Sequence, residues 1–294
     1  MKAAILSALA AALSGPSWAG MPAAAARQPK PLWTIDGLSQ PESALYDEKT
    51  DAVYISNVNG DPGAKDGNGF IAKAGLNGKI EKKNWIKGLN APKGLGACGG
   101  KLYVADIDEI VVIDIASAKV QRKIALPQAK MLNDVALEAG CAGFVSDTLG
   151  SGIYRFEAGG QAVEWARSQD LHSPNGLSLG GGKLNVAAWG LSTDWSTTAP
   201  GRLLAVDLKT RAREPLPGPQ GNLDGLKKTS RGWLVTDWAG GTLLLVAPNG
   251  QSKVLINGLR GPADLDYVAA KDLLLLPRMQ EGMLSAYRLS EIAK

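Results

Sequence analysis

The chain repeats one short pattern six times, and this repeat constrains the fold more than any other feature. In each copy a turn leads into an apolar strand, and a second aliphatic strand follows. The central residues of the turns lie 51, 40, 42, 49 and 39 positions apart. In chain order they are Glu42, Lys93, Asn133, Asn175, Asp224 and Ala263. Such a period with strand signals is typical of four-stranded blades, so we predict an all-β, six-bladed β-propeller.

The two ends of the repeat region predict how the ring closes. The segment Leu32–Leu38 has the same shape as the predicted fourth strands at 84–89 and 254–259, yet it precedes the first repeat. The last repeat ends near Leu289 without a fourth strand of its own. We therefore expect the N-terminal segment to supply the outer strand of the last blade, which removes a free sheet edge. Residues 32–294 would then form a single propeller.

The N-terminus predicts export. Residues 1–19 combine Lys2 with an apolar stretch and small residues near Ala19, which is typical of a cleaved signal peptide. Residues 20–31 are interpreted as a flexible lead-in. No later stretch approaches the roughly 18 apolar residues that a membrane span needs. We expect a periplasmic or secreted protein that does not bind membranes.

Charge and cysteine content limit the partners. The net charge is +4, and the basic residues are scattered without a run, so nucleic-acid binding has little support. We expect a monomer that binds a small-molecule substrate. Cys98 and Cys141 occupy the same place in consecutive repeats, and either a disulfide or two buried thiols would fit. Two cysteines alone are too few for a structural zinc site.

The central residues of the six turns must converge on the propeller axis. Four of them carry side-chain oxygens, which suits a hard divalent cation, and calcium tolerates such a mixed set better than magnesium does. Lys93 breaks the pattern. Its ammonium group would oppose a metal, hold an anionic substrate, or extend towards solvent.

A second set of positions opens onto the same face of the ring. The second strands end at Asn57, Asp106, Asp147, Ala188, Asp237 and Arg278. Their carboxylates are expected to bond loop amides more than to act in chemistry. The long loops 58–70 and 189–201 are predicted to cover this face. His172 is a candidate proton carrier or substrate contact, with a solvated loop residue as the alternative.

Three tryptophans also fall at this face. Trp189, Trp195 and Trp238 lie at or just beyond the ends of second strands in the fourth and fifth repeats. They would stack against a ring-bearing substrate or pack between blades.

In its own repeat and turn context, each of Glu42, Asn133, Asn175 and Asp224 resembles one ligand of the metal quartet of the regucalcin and gluconolactonase family. The resemblance implies a six-bladed propeller with a calcium-class ion at its axis, hydrolysing lactones or related esters. It also implies that Asp224 is the general base and that Asn133 lies beside the substrate. Family members that act on sugar lactones have an arginine two residues before Asn133. This chain has Met131 in that substrate-binding position, so a sugar lactone is not the expected substrate.

These observations lead to two functional hypotheses. The first is a calcium-dependent hydrolase of a lactone or similar ester, with another divalent cation as a substitute for calcium. The second is a non-catalytic propeller that binds a ligand or a protein, in which any ion is structural. Met131 and Lys93 are the residues that keep the second hypothesis open.

Overall fold

The computed structural model describes residues 28–294 and shows a ring of six antiparallel sheets. The predicted signal peptide, residues 1–19, lies outside the described residues. The first blade contains β2 (Pro41–Asp47), β3 (Ala52–Asn57), β4 (Gly69–Gly75) and β5 (Ile80–Leu89). The second contains β6 (Pro92–Cys98), β7 (Lys101–Asp106), β8 (Glu109–Asp114) and β9 (Lys119–Ala125). The third contains β10 (Leu132–Leu137), β11 (Gly143–Asp147), β12 (Gly152–Phe156) and β13 (Ala162–Arg167). The six-bladed propeller prediction is confirmed.

The remaining blades complete the ring. The fourth contains β14 (Pro174–Gly180), β15 (Lys183–Ala188), β16 (Gly190–Leu191), β17 (Ala199–Asp207) and β18 (Arg213–Gly221). The fifth contains β19 (Leu223–Thr229), β20 (Gly232–Asp237), β21 (Thr242–Val246) and β22 (Ser252–Ile256). The sixth contains β23 (Asp266–Val268), β24 (Leu273–Arg278), β25 (Met283–Arg288) and β1 (Trp33–Ile35). Within residues 28–294, helical structure is limited to α1 (Leu289–Ile292) and the short 3-10 turns Gln169–Leu171, Ala269–Lys271 and Met279–Glu281.

The first strand of each blade is the innermost one. Strands β2, β6, β10, β14, β19 and β23 contact one another in sequence, and β23 returns to β2. The remaining strands follow outwards, mostly in chain order. This order places the start of every inner strand on one face of the ring, which is also where the second strands end.

The ring closes through the N-terminal segment, as the sequence predicts. Strand β1 pairs antiparallel with β25, and Trp33 lies opposite Ala286 while Ile35 lies opposite Leu284. The last blade thus gains the fourth strand that its own repeat lacks. No free edge remains on β25 along this stretch, which limits pairing with other chains.

Apolar clusters between successive blades form the core. One such cluster lies between the last blade and the first and includes Val53, Ile55, Leu275 and Leu284. Similar clusters occupy the other five interfaces. Strand β3 is buried along its whole length. Complete burial explains why the second strands appear in the sequence as nearly continuous apolar runs.

In the fourth blade, the segment predicted as one long loop, residues 189–201, contains a short strand. Strand β16 pairs with the extended start of β17, with Gly190 opposite Pro200. This short ladder narrows the covering loop to residues 192–198. Gly190 has a φ of 109° there, and a Cβ would meet the carbonyl oxygen of Ala199 at 2.5 Å. A glycine is therefore required where the chain turns back on itself.

A disulfide joins the second and third blades. Cys98, at the end of β6, is bonded to Cys141, in the turn between β10 and β11, with their Cα atoms 5.5 Å apart. Of the two alternatives that the sequence leaves open, the structure contains the bridge. Among the described residues, no helix is long and apolar enough to cross a membrane.

Removing the disulfide is expected to weaken the fold without preventing it, because the blades remain packed by apolar clusters. A Cys98→Ala/Cys141→Ala double variant should lose about 2–4 kcal/mol in free energy of unfolding, which urea denaturation measures. Reductant should shift the midpoint of the wild type and leave that of the double variant unchanged. Identical midpoints for the oxidised wild type and the double variant would contradict this expectation.

Candidate metal and substrate site

A bulge at the start of the inner strands positions the central residues. In the first blade Pro41 pairs with Asn57 and Ala44 pairs with Ile55, so the two residues between Pro41 and Ala44 leave the ladder. The same shift occurs in the next four blades. A bulge re-aims side chains that a regular strand would alternate between its two faces. The second residue of each of these five strands lines one cavity at the axis; these residues are Glu42, Lys93, Asn133, Asn175 and Asp224.

Side chains at the ends of the second strands hold the inner strands in place. Asp147 accepts hydrogen bonds from the backbone N–H groups of Lys130 at 3.0 Å and Met131 at 2.8 Å. Asp106 accepts equivalent bonds from Asn90 and Ala91. The same contact recurs in two other blades through Asn57 and Asp237. This confirms that these polar residues bond loop amides.

A hydroxyl group one residue earlier links neighbouring blades, and sequence reasoning missed it. Ser146 Oγ accepts a bond from the Asp134 N–H at 2.9 Å and donates to the Asn175 carbonyl at 2.7 Å. Thr236 makes the corresponding pair of bonds between the fifth and sixth blades. The signal in the sequence was a Ser or Thr before the last residue of a second strand. These bonds tie the backbone at one axial position to the next blade.

The cavity at the axis has a volume of about 210 Å³ and a polar floor. The five central residues supply this floor. The rest of the lining is apolar or aromatic and comprises Pro62, Trp189, Trp195, Trp238 and Met279. Pro62 and Trp195 come from the two loops that were predicted to cover this face. Both loops therefore contribute to the cavity.

The four predicted metal ligands share an unusual feature. Each has a buried side-chain oxygen without a hydrogen-bond partner: Glu42 Oε2, Asn133 Oδ1, Asn175 Oδ1 and Asp224 Oδ1. The only hydrogen bond within the set runs from Asn175 Nδ2 to Asp224 Oδ2, at 3.3 Å. Buried polar atoms are nearly always paired, so four unpaired acceptors in one cavity fit a cation that prefers oxygen.

The donor set suits a hard cation rather than zinc. Two carboxylates and two amide oxygens are ligands of the calcium type. Within residues 28–294, no group of three or more His, Cys, Asp or Glu side chains is arranged to hold a metal. A zinc site would use such a group. The quartet combines acids with amides, so it carries a formal charge of only about −2 when both carboxylates are ionised.

Without a cation the two carboxylates resist ionisation. Burial raises the pKa of Glu42 well above its usual range, and the charges of Asp224 and Asp264 raise it further, while Lys93 acts in the opposite direction. Burial likewise raises the pKa of Asp224, followed by the charges of Asp264 and Asp134. A divalent cation among these oxygens would reverse this effect by favouring the charged forms.

A second charged layer lies beside the quartet, and it too was missed from the sequence. Asp264 Oδ2 accepts a bond from the Ser43 hydroxyl at 2.7 Å, and Asp134 is also buried. Lys227 lies 3.3 Å from Asp266. Burial acts to lower the pKa of Lys227, but the charges of Asp266, Asp264 and Asp134 outweigh it and raise the pKa. Burial nevertheless raises the pKa of Asp134 and of Asp264, so Lys227 offsets the charge of this layer only in part.

Lys93 does not extend towards solvent. It is 2% exposed, and its Nζ donates to the carbonyl oxygens of Ala91 at 2.9 Å and Pro62 at 3.1 Å. Burial lowers its pKa to about 8, although the nearby charges of Glu42 and Asp106 oppose this shift. Lys93 therefore places an amino group in the cavity and ties the loop that carries Pro62 to the second blade.

Two predicted substrate-binding residues lie away from the cavity lining. Met131 is buried, and its methyl group packs near Gly63 of the loop between β3 and β4. His172 follows a short 3-10 turn with a φ of 52°. Burial, and then the charge of Arg202, lower its pKa. Neither side chain lines the axial cavity. A role for Met131 or His172 in substrate binding therefore stays a prediction.

Comparison with known proteins supports the fold. No protein-family model matches the chain, and no curated protein matches it in sequence. A gluconolactonase from Xanthomonas campestris has a similar structure, with a TM-score of 0.64 and 14% identity over 87% of each chain. Virginiamycin B lyase from Staphylococcus aureus also matches, with a TM-score of 0.59 and 13% identity over 86% of this chain and 97% of the lyase. These similarities show the fold that the chain shares with both proteins.

Replacing Glu42 tests the quartet both without a cation and with calcium bound. A carboxyl group with a raised folded pKa contributes stability below its unfolded pKa and loses it as the pH rises through the folded pKa. In chelator at pH 8, Glu42→Gln should therefore raise the melting temperature, by about 2–4 °C per kcal/mol gained. Calcium should then stabilise the wild type by up to about 2.7 kcal/mol at one hundred times its Kd, and the variant much less.

The matched control for this measurement is Glu48→Gln, because Glu48 is exposed and lies outside the cavity. Its melting temperatures should follow those of the wild type with and without calcium. Equal calcium-dependent shifts in the wild type and in Glu42→Gln would contradict the assignment of Glu42.

Proposed function

We propose that the protein is a metal-dependent hydrolase of a lactone or related ester, with calcium bound by Glu42, Asn133, Asn175 and Asp224. One observation carries the proposal: each of these four side chains has a buried oxygen that lacks a donor, and all four line one cavity. The remaining apolar lining has room for an organic substrate. Ordinary turn residues would bond their own backbone instead.

Calcium fits better than magnesium because its coordination is larger and more flexible. Calcium takes six to eight oxygen ligands, so four protein oxygens leave positions for water and a substrate carbonyl. Magnesium demands nearly ideal octahedral geometry. Other divalent cations with the same preference for oxygen would compete for the quartet.

The cation, when bound, would supply Lewis-acid polarisation of the scissile carbonyl. The two oxygens of Asp224 have different surroundings, since Oδ1 lacks a partner and Oδ2 accepts a bond from Asn175. Oδ1 would face the cation, while Asn175 orients Oδ2 as the general base. Asp224 takes a proton from water, the water oxygen bonds to the acyl carbon, and the ester C–O bond breaks. The proton then passes to the leaving alkoxide.

The two structurally similar enzymes suggest different reactions, and the cavity favours hydrolysis. A variant of the S. aureus lyase in which a histidine is replaced by alanine is described as catalytically inactive. In this chain the single histidine, His172, does not line the cavity. A carboxylate base with a cation beside it supports ester hydrolysis better than it supports a histidine-dependent lyase.

A non-catalytic binding propeller is the second candidate. The observation that favours it is Lys93, whose ammonium group lies in the cavity close enough to Glu42 to lower its pKa. A positive charge there would weaken cation binding. Stabilisation by calcium without turnover of any lactone or ester would favour this second candidate.

We further propose that the protein is exported and acts as a monomer. The disulfide between Cys98 and Cys141 supports export, because such bonds persist in oxidising compartments. Cell fractionation with thiol labelling would test this: the protein should appear in the periplasmic or secreted fraction without reactive thiols.

Replacing the proposed base provides the sharpest test of the mechanism. Asp224→Asn keeps the size of the side chain but cannot accept the proton, so turnover should fall by about 10²–10⁴-fold. The measurement is the initial rate with a panel of lactones and aryl esters in calcium, with chelator as a second condition. The variant should keep the circular dichroism spectrum of the wild type.

Asp36→Asn serves as the control, because Asp36 is exposed. In calcium, this variant should retain the rate of the wild type. Chelator should abolish the activity of both proteins. Undiminished turnover in Asp224→Asn would rule out the proposed mechanism.

A further inference from the structure

Three tryptophans form one side of the axial cavity, and we call Trp189, Trp195 and Trp238 the tryptophan wall. Trp189 directly follows β15, Trp238 directly follows β20, and Trp195 lies in the loop between β16 and β17. The ring centroid of Trp189 lies 5.4 Å from that of Trp195 and 5.6 Å from that of Trp238. The wall thus brings together side chains from two blades and a covering loop.

Packing between blades does not account for the wall. Four other tryptophans do pack in the clusters at blade interfaces; they are Trp33, Trp85, Trp165 and Trp233. The members of the tryptophan wall belong to none of the described clusters and line the cavity instead. Trp195 and Trp238 are also partly exposed. Aromatic faces in this position are available to a ligand.

The wall also contains an unsatisfied donor. Trp189 is 6% exposed, and its indole N–H is buried without an acceptor. Buried indole N–H groups usually have a partner. An acceptor atom of the ligand, such as a lactone, ester or lactam oxygen, would supply that partner. The wall therefore suits a flat apolar group that carries at least one acceptor.

One residue holds all three parts of the wall beside the floor. The side-chain amide of Asn222 donates to the Trp189 carbonyl at 3.0 Å and to Thr197 Oγ1 at 2.6 Å. The Asn222 carbonyl accepts a bond from the Trp238 N–H at 2.9 Å. Asn222 also lies two residues before Asp224. The spacing between the wall and the proposed base is thus set by a single short segment.

The size and polarity of the cavity limit the ligand further. Its volume of about 210 Å³ exceeds the roughly 150 Å³ that accommodates benzene in an apolar cavity. Hydroxyl and charged side chains are missing from the wall and from Pro62 and Met279, so polar contacts are confined to the floor. A sugar ring would leave most of its hydroxyl groups unpaired there.

We propose that the tryptophan wall binds the ring of an aromatic or ring-fused lactone or ester, with Asn222 as the positioning residue of the wall. This inference rests on the proposed function only for the orientation of the ester group towards the floor. Binding of the ring needs no turnover. The polar floor and the apolar wall then divide the recognition of one substrate between its carbonyl group and its ring.

The test uses lactams, which resist hydrolysis under conditions that cleave lactones and esters. Dihydroquinolinone has a fused aromatic ring, and valerolactam is the matched ring without it. Tryptophan fluorescence and calorimetry measure their affinities for the purified protein in calcium. Dihydroquinolinone should bind at least tenfold more tightly than valerolactam. Trp195→Ala should lose at least tenfold in affinity for dihydroquinolinone, and Trp233→Phe, at a blade interface, should lose none.

Trp238→Ala is the second variant, and melting temperatures show which variants fold. If lactone turnover is observed, Asn222→Ala should raise KM for the aromatic lactone more than it lowers kcat. Equal affinity for both lactams, or unchanged affinity in Trp195→Ala and Trp238→Ala, would overturn the inference. Selective lactam binding without turnover of any ester would support it and count only against the proposed hydrolase. Turnover of a sugar lactone without selective lactam binding would support the proposed hydrolase and overturn this inference.

Discussion

No blade of this propeller can bury its apolar residues alone, and this constraint underlies the rest of the structure. Strand β3 shows why. Val53 and Ile55 pack into the cluster shared with the last blade, while Tyr54, on the opposite face, packs into the cluster shared with the second blade. Each sheet therefore needs a neighbour on both sides, and only a closed ring supplies one for every blade. Strand β1 completes that ring by pairing with β25.

Closure of the ring brings polar groups to the axis that water would otherwise solvate. Carboxylates such as Asp147 hold the start of an inner strand, and hydroxyl groups such as Ser146 join one blade to the next. These bonds pair backbone groups near the axis with protein side chains. The unpaired oxygens belong to the side chains of the quartet instead. Buried acceptors left in this state destabilise a fold unless a ligand pairs with them, which is the physical reason for the proposed cation site.

Charge in the interior is distributed over two levels. In the second charged layer, Lys227 forms an ion pair with Asp266, and burial raises the pKa of Asp264 while the charge of Lys227 opposes that shift. In the quartet, burial raises the pKa of Glu42 and the charge of Lys93 opposes that shift in the same way. The two layers therefore differ in their hydrogen bonds: Asp264 and Asp134 are bonded to protein groups, whereas each side chain of the quartet has an unpaired oxygen. The tryptophan wall adds an apolar side to the cavity that the quartet lines, so the proposed recognition of a ring and the proposed polarisation of a carbonyl would fall to different residues.

The sequence alone determined the repeat, the number of blades, the closing strand and five of the six positions at the axis, because periodic patterns of turns and buried strands depend on local chain geometry. The sixth position, Ala263, precedes β23 and does not line the cavity. It did not determine which residues share the cavity. Met131 and His172 lie near the quartet along the chain but not in the cavity lining, whereas Pro62 and Met279 reach that lining from distant repeats. Pairing of Cys98 with Cys141 was likewise open until adjacent turns were brought together. Contacts between blades depend on bulges, loop paths and packing across the ring, and these exist only once the whole ring has formed.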